Sequence, residues 1–199
     1  MNYELDKQLC EKYPKIFRDR NASETESCMH WGLCCDDGWY DIIDHLCYAA
    51  TYTWTTCVKI DEEDAKKLLV KKSEYNGCYY LDIPAPTMVA AQVKEKFGTL
   101  RFYYDLEFEP NIQELYKSGK YPDLTKVVER YQSFFDGIVH MAEIMSERTC
   151  EITGNKGELC VRGGWYKTLC EEKAKELGYT QRRLINHDEG IVDLNQKTT

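Results

Sequence analysis

Apolar residues repeat every three or four positions along several segments, which is the spacing of one face of an α-helix. The longest repeat covers residues 123–148, and its apolar positions are Leu124, Val128, Tyr131, Phe135, Ile138, Ala142 and Met145. A second row of Val127, Phe134 and Met141 widens this stripe. A wide stripe predicts a helix packed in a core, whereas a narrow seam would favour a coiled-coil homodimer, which stays the alternative.

Three shorter helices are also predicted. The first covers residues 3–12 and is interrupted by Tyr13-Pro14. The second begins at an acidic pair, and its stripe consists of Trp39, Ile43, Leu46, Ala50, Trp54 and Cys57. Asp61 resembles the cap of the third, which would end at Asn76-Gly77. Two prolines then predict a loop or a short extended piece over residues 76–88.

Residues 89–104 alternate between apolar and polar positions and break at Gly98, which predicts a β-hairpin. Basic and aromatic side chains are interleaved there, a combination that can stack bases and meet phosphates. A sheet with one charged, solvated face explains the same alternation and is the favoured interpretation. With one tryptophan from further along the chain, the candidate binding residues are Lys94, Lys96, Arg101, Phe102, Tyr103 and Trp165.

These elements predict an α+β protein in which core helices pack on a small antiparallel hairpin. We divide the chain into a core over residues 1–148, a small lobe over residues 149–180 and a tail over residues 181–199. The 199 residues carry a net charge of -8, which gives no general attraction to nucleic acid. No apolar run approaches the roughly 18 residues of a membrane span, and the first residues lack a signal-peptide pattern. We therefore expect a cytosolic protein without a membrane partner, in which the ten cysteines are reduced thiols.

The small lobe carries an incomplete zinc-ribbon pattern. A structural zinc site takes two ligands from each of two C-x-x-C or C-x-x-H turns, one of which begins a helix. Here Cys150 and Cys170 hold the two first positions, while Thr153 and Lys173 hold the second. A third thiolate is available from Cys160, and the fourth ligand would be His140 or His187 at an unusual spacing. A metal-free lobe held by apolar packing is favoured over bound zinc.

A second group of soft ligands lies near the N-terminus and consists of Cys28, His30, Cys34, Cys35, His45 and Cys47. Simple packing of buried cysteines is the favoured interpretation. A thiol enzyme would use Cys28, Cys34 or Cys35 with a histidine base, which residue types alone permit. The chain has no P-loop, dinucleotide fingerprint, nucleophile elbow or H-E-x-x-H motif, so a non-catalytic protein is favoured.

Three sequence blocks together resemble a group of small accessory proteins of tailed bacteriophages and prophages. Their segments are Leu9–Pro14 with Trp31-Gly32 and Asp37–Ile43, then Gln92–Tyr104, then Met141–Ser146 with Cys150-Glu151 and Gly164–Cys170. In that group the end resembles C-E-x-C-G followed by G-W-x-x-T-L-C-x-x-H or C-x-x-C, from which this chain departs at Thr153 and Lys173.

The resemblance implies a phage or prophage origin and an accessory role in the bacterial host cytoplasm. In that context we expect a protein that binds a bacterial defence protein or sequesters its nucleotide signal. The alternative is a nucleic-acid-binding zinc module, and its basic residues would be Lys94, Lys96, Arg101, Lys167, Arg182 and Arg183.

Overall fold

The computed structural model describes residues 1–52 and 54–181, so Arg182, Arg183, His187 and nearly all of the predicted tail lie outside it. The described residues form an α+β fold, as predicted. The helices are α1 (Tyr3–Lys12), α2 (Tyr40–Ala50), α3 (Glu62–Lys67), α4 (Pro110–Ser118), α5 (Pro122–Ser146) and α6 (Glu171–Leu177). One-turn 3-10 helices occupy Arg18–Asn21, Cys28–Trp31 and Asp37–Trp39.

The strands form three small sheets. They are β1 (Leu33–Cys34), β2 (Thr55–Ile60), β3 (Tyr79–Pro84), β4 (Thr87–Lys96), β5 (Thr99–Glu107), β6 (Glu158–Arg162), β7 (Trp165–Leu169) and β8 (Thr180–Gln181). β4 and β5 pair as an antiparallel hairpin, with β1 parallel to β4 on its other side. β2 pairs with β3, and β6 lies between β7 and β8.

Helix α5 joins the two larger cores, because its apolar stripe is long enough to face both. Its second half, with Phe135, Val139 and Ala142, packs against α1, α2 and the β4–β5 hairpin. Its first half packs against β2, β3, α3 and α4. The hydroxyl of Tyr131 donates to the backbone oxygens of Trp54 and Ile83, which satisfies the one polar atom of this buried ring. The predicted core helix is therefore confirmed, and it contributes side chains to both of the larger cores.

Two predicted helix ends are wrong. Helix α2 ends at Ala50, and Cys57 lies instead on strand β2, where it is exposed. The third helix ends at Lys67, well before the expected Asn76-Gly77. Residues 76–88 contain β3 and the start of β4, so of the two predicted alternatives the extended piece is correct. Pro84 is tolerated because it is the last residue of a strand whose described partner is β2 alone, so no second ladder requires its missing N–H.

The predicted hairpin around Gly98 is confirmed. Lys96 pairs with Thr99, so Phe97 and Gly98 form a two-residue turn with φ values of 56° and 83°. Positive φ at both central residues defines a type I′ turn, whose twist matches that of the two strands. The β6–β7 turn is of the same kind, since Gly163 and Gly164 have φ values of 56° and 84°.

Candidate functional site

The tip of the β4–β5 hairpin packs on the β6–β7 hairpin, at the paired residues Leu159 and Thr168. Gly98 is the contact point: its carbonyl oxygen accepts from Thr168 Oγ1 at 2.6 Å. A Cβ atom on Gly98 would lie 2.4 Å from Leu159 Cδ1, so glycine is required by space as well as by its φ value. The two hairpins therefore hold their turns in a defined relative position.

A cleft of about 450 Å³ lies between these turns. We call its lining the turn surface; it consists of Glu95, Lys96, Phe97, Gly163, Gly164, Trp165 and Tyr166. The Phe97 ring is 66% exposed and that of Trp165 is 75% exposed. The Lys96 ammonium lies 5.4 Å from the centre of the Phe97 ring. The structure thus brings the candidate residues Lys96 and Trp165 to one cleft.

Phe97 was not among the candidate binding residues, yet it is the most unusual residue of this surface. Its φ of 56° is the left-handed conformation, which costs a non-glycine residue roughly 1–2 kcal/mol. Asparagine or glycine would fit the first position of a type I′ turn without that cost. The signal is visible in the sequence, since a bulky aromatic residue directly before Gly98 conflicts with a tight turn.

Lys94, Arg101 and Tyr103 lie on the same face of the β4–β5 hairpin, and we call them the basic sheet face. Lys94 pairs directly with Arg101 across the strands, and its ammonium lies 5.3 Å from the centre of the Tyr103 ring. Lys94 Nζ also donates to Gln92 Oε1 at 2.6 Å. Arg101 lies 3.7 Å from the Glu143 carboxylate, so its charge is partly offset. Since Lys96 is two residues beyond Lys94, this face is continuous with the turn surface.

Phe102 differs from the other candidate binding residues. Its side chain is 3% exposed and packs in the main core, edge-on to Phe17 at a centroid distance of 6.4 Å. Residues that alternate along a strand point to opposite faces, so Phe102 must turn inward where Arg101 and Tyr103 turn outward. Its role in this structure is packing, and a ligand on the hairpin surface does not reach it.

The C-terminal lobe has the element order of a treble clef, namely a tight turn at Cys150–Gly154, then the β6–β7 hairpin, then helix α6. Cys150, Cys160 and Cys170 contribute to one small apolar cluster with Leu169 and Ala174. Burial raises the pKa of the Cys150 thiol, but hydrogen bonds from the Thr153 hydroxyl and from nearby backbone N–H groups outweigh it and lower this pKa. Burial raises the pKa of Cys160.

The residues present do not complete a zinc site. Thr153 and Lys173 occupy two of the four ligand positions, and Lys173 Nζ pairs with Glu176 at 2.6 Å. Within residues 1–52 and 54–181, no group of three or more histidine, cysteine, aspartate or glutamate side chains is arranged to hold a metal ion. His140 lies on the exposed side of α5, and His187 is outside the described residues. Zinc binding by Cys150, Cys160 and Cys170 stays a prediction that this geometry does not favour.

The lobe is attached to the core through a group that we call the docking face: Asp36, Gly38, Glu151 and Lys167. Lys167 Nζ donates to Glu151 Oε2 at 2.8 Å and to Asp36 Oδ2 at 2.9 Å. The Gly38 N–H donates to the Glu151 backbone oxygen at 2.7 Å. A Cβ on Gly38 would lie 2.3 Å from the Cys150 oxygen, so the turn and the core touch backbone to backbone.

Burial and pairing have opposite effects on the charges of the docking face. Glu151 is 2% exposed, and burial raises its pKa although Lys167 opposes the shift. Burial alone would lower the pKa of Lys167, but its hydrogen bonds to Glu151 and Asp36 raise it above the ordinary value. Lys167 therefore remains charged and is held by the protein itself. This removes it from the basic residues that the nucleic-acid-binding hypothesis requires.

The N-terminal cysteines and histidines do not form a catalytic pair. Cys34 Sγ donates to the backbone oxygens of Trp31 and Gly32, and burial raises the pKa of the Cys35 thiol to about 12. His30 Nδ1 lies 2.8 Å from the Ala22 oxygen, and His45 Nδ1 lies 2.5 Å from the Asp41 oxygen. No cysteine–histidine hydrogen bond is present in the described part of the chain.

A further cleft of about 540 Å³ lies beside α1. Its charged side chains are paired within the protein: Arg20 with Asp6 at 2.9 Å, Arg18 with Glu107, and Lys7 with Glu11 at 3.8 Å. Charges that already have partners gain little from a ligand, so the turn surface is the stronger candidate site.

Comparisons with protein-family models, curated proteins and solved structures found no match to this chain. None of the helices in the described ranges combines the length and the apolar composition that crossing a membrane requires.

Proposed function

We propose that this chain is a non-catalytic phage or prophage accessory protein that binds a bacterial host defence protein through its turn surface. The likeness of three sequence blocks to phage accessory proteins supports the origin and the setting. The choice of surface rests on the geometry of the two turns.

The observation that carries the proposal is the Phe97 ring, exposed on a residue in the left-handed conformation. A buried ring would repay its backbone strain by packing, but this ring is 66% exposed. Strained residues persist where the surroundings hold them, and they are concentrated at functional sites. A bound partner that covers Phe97 would supply the missing packing.

The neighbourhood of Phe97 has the composition of a binding hot spot. Protein interfaces concentrate their energy in a few aromatic and arginine anchors, surrounded by polar residues that exclude water. Here Trp165 and Phe97 would be the anchors, and Lys96 and Glu95 are charged residues that line the same cleft. Phe97 lies in the two-residue turn of one hairpin, and Trp165 is the strand residue that directly follows the turn of the other, so little conformational entropy is lost when the two rings are covered.

Nucleic acid is the weaker partner on electrostatic grounds. The chain carries a net charge of -8, Lys167 is held by two carboxylates, and Arg101 lies near Glu143. Of the described basic residues on the basic sheet face and the turn surface, this leaves Lys94 and Lys96 available to phosphates. A small nucleotide signal needs fewer cations than a nucleic-acid strand, and is therefore the second candidate ligand.

The test compares three versions of the full chain as bait in host-cell extract: wild type, Phe97→Ser with Trp165→Ser, and the control Tyr75→Ser. Tyr75 is 96% exposed and lies outside the turn surface. Any host protein retained by wild type and control would be identified, purified and titrated calorimetrically. We expect the double variant to weaken binding about 30-fold or more, which corresponds to a hot-spot loss of about 2 kcal/mol.

A parallel titration uses a panel of cyclic di- and oligonucleotides, and single-stranded DNA at low and moderate salt. Equal capture of the same partner by wild type and by the double variant would contradict the assignment of the turn surface. Tight, salt-sensitive DNA binding would favour the nucleic-acid alternative. Turnover of a nucleotide or peptide by the wild-type protein would overturn the non-catalytic assignment.

A further inference from the structure

The treble-clef order places four residues where such a lobe normally holds its metal ligands: Cys150 and Thr153 in the tight turn, and Cys170 and Lys173 at the start of α6. Cys150 and Cys170 have kept the thiols, and both belong to the small apolar cluster of the lobe. What links the tight turn to the start of α6 here is the side chain of Thr153.

Thr153 lies in the tight turn that Cys150 begins, and its side chain reaches the start of α6. Its Oγ1 donates to Cys170 Sγ at 3.8 Å. The same oxygen accepts from the Asn155 N–H at 3.3 Å. One hydroxyl therefore joins the tight turn to the start of the helix, which is the structural task that a metal ion performs in a complete site.

Lys173 reinforces this arrangement. An ammonium group has three donors and no lone pair, so it cannot bind a cation, and its charge repels one. It is held by Glu176 on the same helix, at 2.6 Å. The second ligand position of the helix is thus occupied by a group that opposes metal binding.

The lobe also has a source of stability that an isolated zinc module lacks. A unit of about 30 residues rarely folds alone without metal or disulfides. Here Thr168 Oγ1 donates to the Gly98 oxygen, Trp39 Nε1 donates to the Thr149 oxygen at 2.9 Å, and Lys167 ties Glu151 to Asp36. These contacts with the core provide the stabilisation that a metal ion would otherwise have to provide.

We infer that the Thr153 hydroxyl takes the place of a metal ligand, so that the C-terminal lobe folds and stays docked without metal, on a frame that still matches a four-cysteine site. The inference does not depend on the proposed function, because the turn surface makes no use of the thiols. It predicts that two substitutions restore a metal site: Thr153→Cys and Lys173→Cys.

The experiment titrates Co²⁺ into the reduced full-length chain and records the visible spectrum, since tetrahedral cobalt–thiolate sites absorb strongly and zinc displaces the cobalt. Three proteins are compared: wild type, Thr153→Cys/Lys173→Cys, and the control Thr153→Cys/Lys175→Cys. The control has the same number of cysteines, but its second new thiol is two residues beyond the ligand position. Melting temperatures are measured for each protein with and without EDTA.

We expect one equivalent of cobalt with a four-thiolate spectrum in the Lys173 double variant alone, and a melting temperature that EDTA lowers in that variant alone. For the wild type we expect no thiolate absorption and no effect of EDTA. Thr153→Val should lower the wild-type melting temperature by about 2–4 °C, whereas Thr153→Ser should preserve it. A wild-type protein that binds one equivalent of cobalt through its thiols would overturn the inference, as would a double variant that binds no better than its control.

Discussion

The docking face and the turn surface each combine residues of the core with residues of the C-terminal lobe, and they use the same kinds of residue to opposite effect. Lys167 of the docking face is held between two carboxylates, while Lys96 of the turn surface lies over an exposed ring. At the docking face Gly38 lets two backbones touch, whereas a Cβ on Gly163 of the turn surface would meet nothing within 4 Å. The docking face is occupied by contacts within the protein, and the turn surface is available to a partner.

The difference shows which of the two surfaces contributes more to the stability of the fold. Buried polar groups at the docking face must keep every partner, because an unpaired buried charge costs several kcal/mol. The turn surface carries a strained residue and exposed rings, which stabilise the isolated chain little. Substitutions should therefore divide into large effects on folding at the docking face and small ones at the turn surface.

The largest effect is expected for Gly38→Ala. The new Cβ would meet the backbone oxygen of Cys150 at 2.3 Å and the Gly154 nitrogen at 2.4 Å, and backbone atoms cannot move aside as a side chain can. We expect a loss of about 4 kcal/mol or more in the free energy of unfolding, measured by urea denaturation. The matched control is Gly137→Ala on α5, where a Cβ meets nothing within 4 Å and helix propensity should add about 0.5–1 kcal/mol. Equal stability of the two variants would show that the lobe is not tightly docked.

The free energy of unfolding is expected to fall by about 3–5 kcal/mol in Lys167→Met, because this change leaves the buried carboxylate of Glu151 without its cation. The control, Lys175→Met, removes an exposed pair with Glu171 and should cost less than about 0.5 kcal/mol. Adding Glu151→Gln to Lys167→Met should recover part of the loss, and no recovery would argue against the pair as its cause.

The stability of the Lys167→Met variant should also depend on pH. Burial raises the pKa of Glu151, so folding favours its protonated form. Without Lys167 that preference strengthens, and the variant should gain stability relative to wild type as the pH falls through the raised pKa toward the ordinary value near 4.5. Urea denaturation between pH 4 and pH 7 measures this, and a difference that widens toward acid pH would contradict the assigned burial of Glu151.

The smallest effect is expected at the turn surface. Phe97→Asn should raise the free energy of unfolding by about 0.5–1 kcal/mol, because asparagine fits the left-handed position of a type I′ turn. The reciprocal change, Gly163→Phe, places the same side chain at the same φ of 56° in open space and should lower it by about 1 kcal/mol. A Phe97→Asn variant that is clearly less stable than wild type would mean that the ring packs for the fold and is not held for a partner.

Elements with strong local signals could be predicted from the sequence. The heptad-like stripe of α5 and the hairpin around Gly98 are confirmed because periodicity and turn chemistry are properties of the segment itself. The second helix was extended too far because Trp54 and Cys57 continue its spacing by coincidence, although Cys57 is exposed on a strand. The prolines of residues 76–88 leave a loop and a short extended piece as alternatives, and only the pairing of β3 with β2 decides between them.

The candidate site divides in the same way. The sequence identified the interleaved basic and aromatic residues and Trp165, but it placed Phe102 among them, which the strand alternation turns into the core. It did not select Gly38 or Glu151, because their importance comes from neighbours far away along the chain. Phe97 was also not selected, although a bulky ring directly before Gly98 is a local signal.

By itself the sequence determined the α+β composition, the type and place of the strongest elements, and the two ligand positions that Thr153 and Lys173 withhold from a metal. Each of these follows from residue spacing or side-chain chemistry. Only the tertiary structure decided that Lys167 pairs with the buried Glu151 while Lys96 lines an open cleft, and that Phe97 and Trp165 line that same cleft. Burial and charge pairing depend on which distant segments pack together, and residue spacing along one segment carries no information about that.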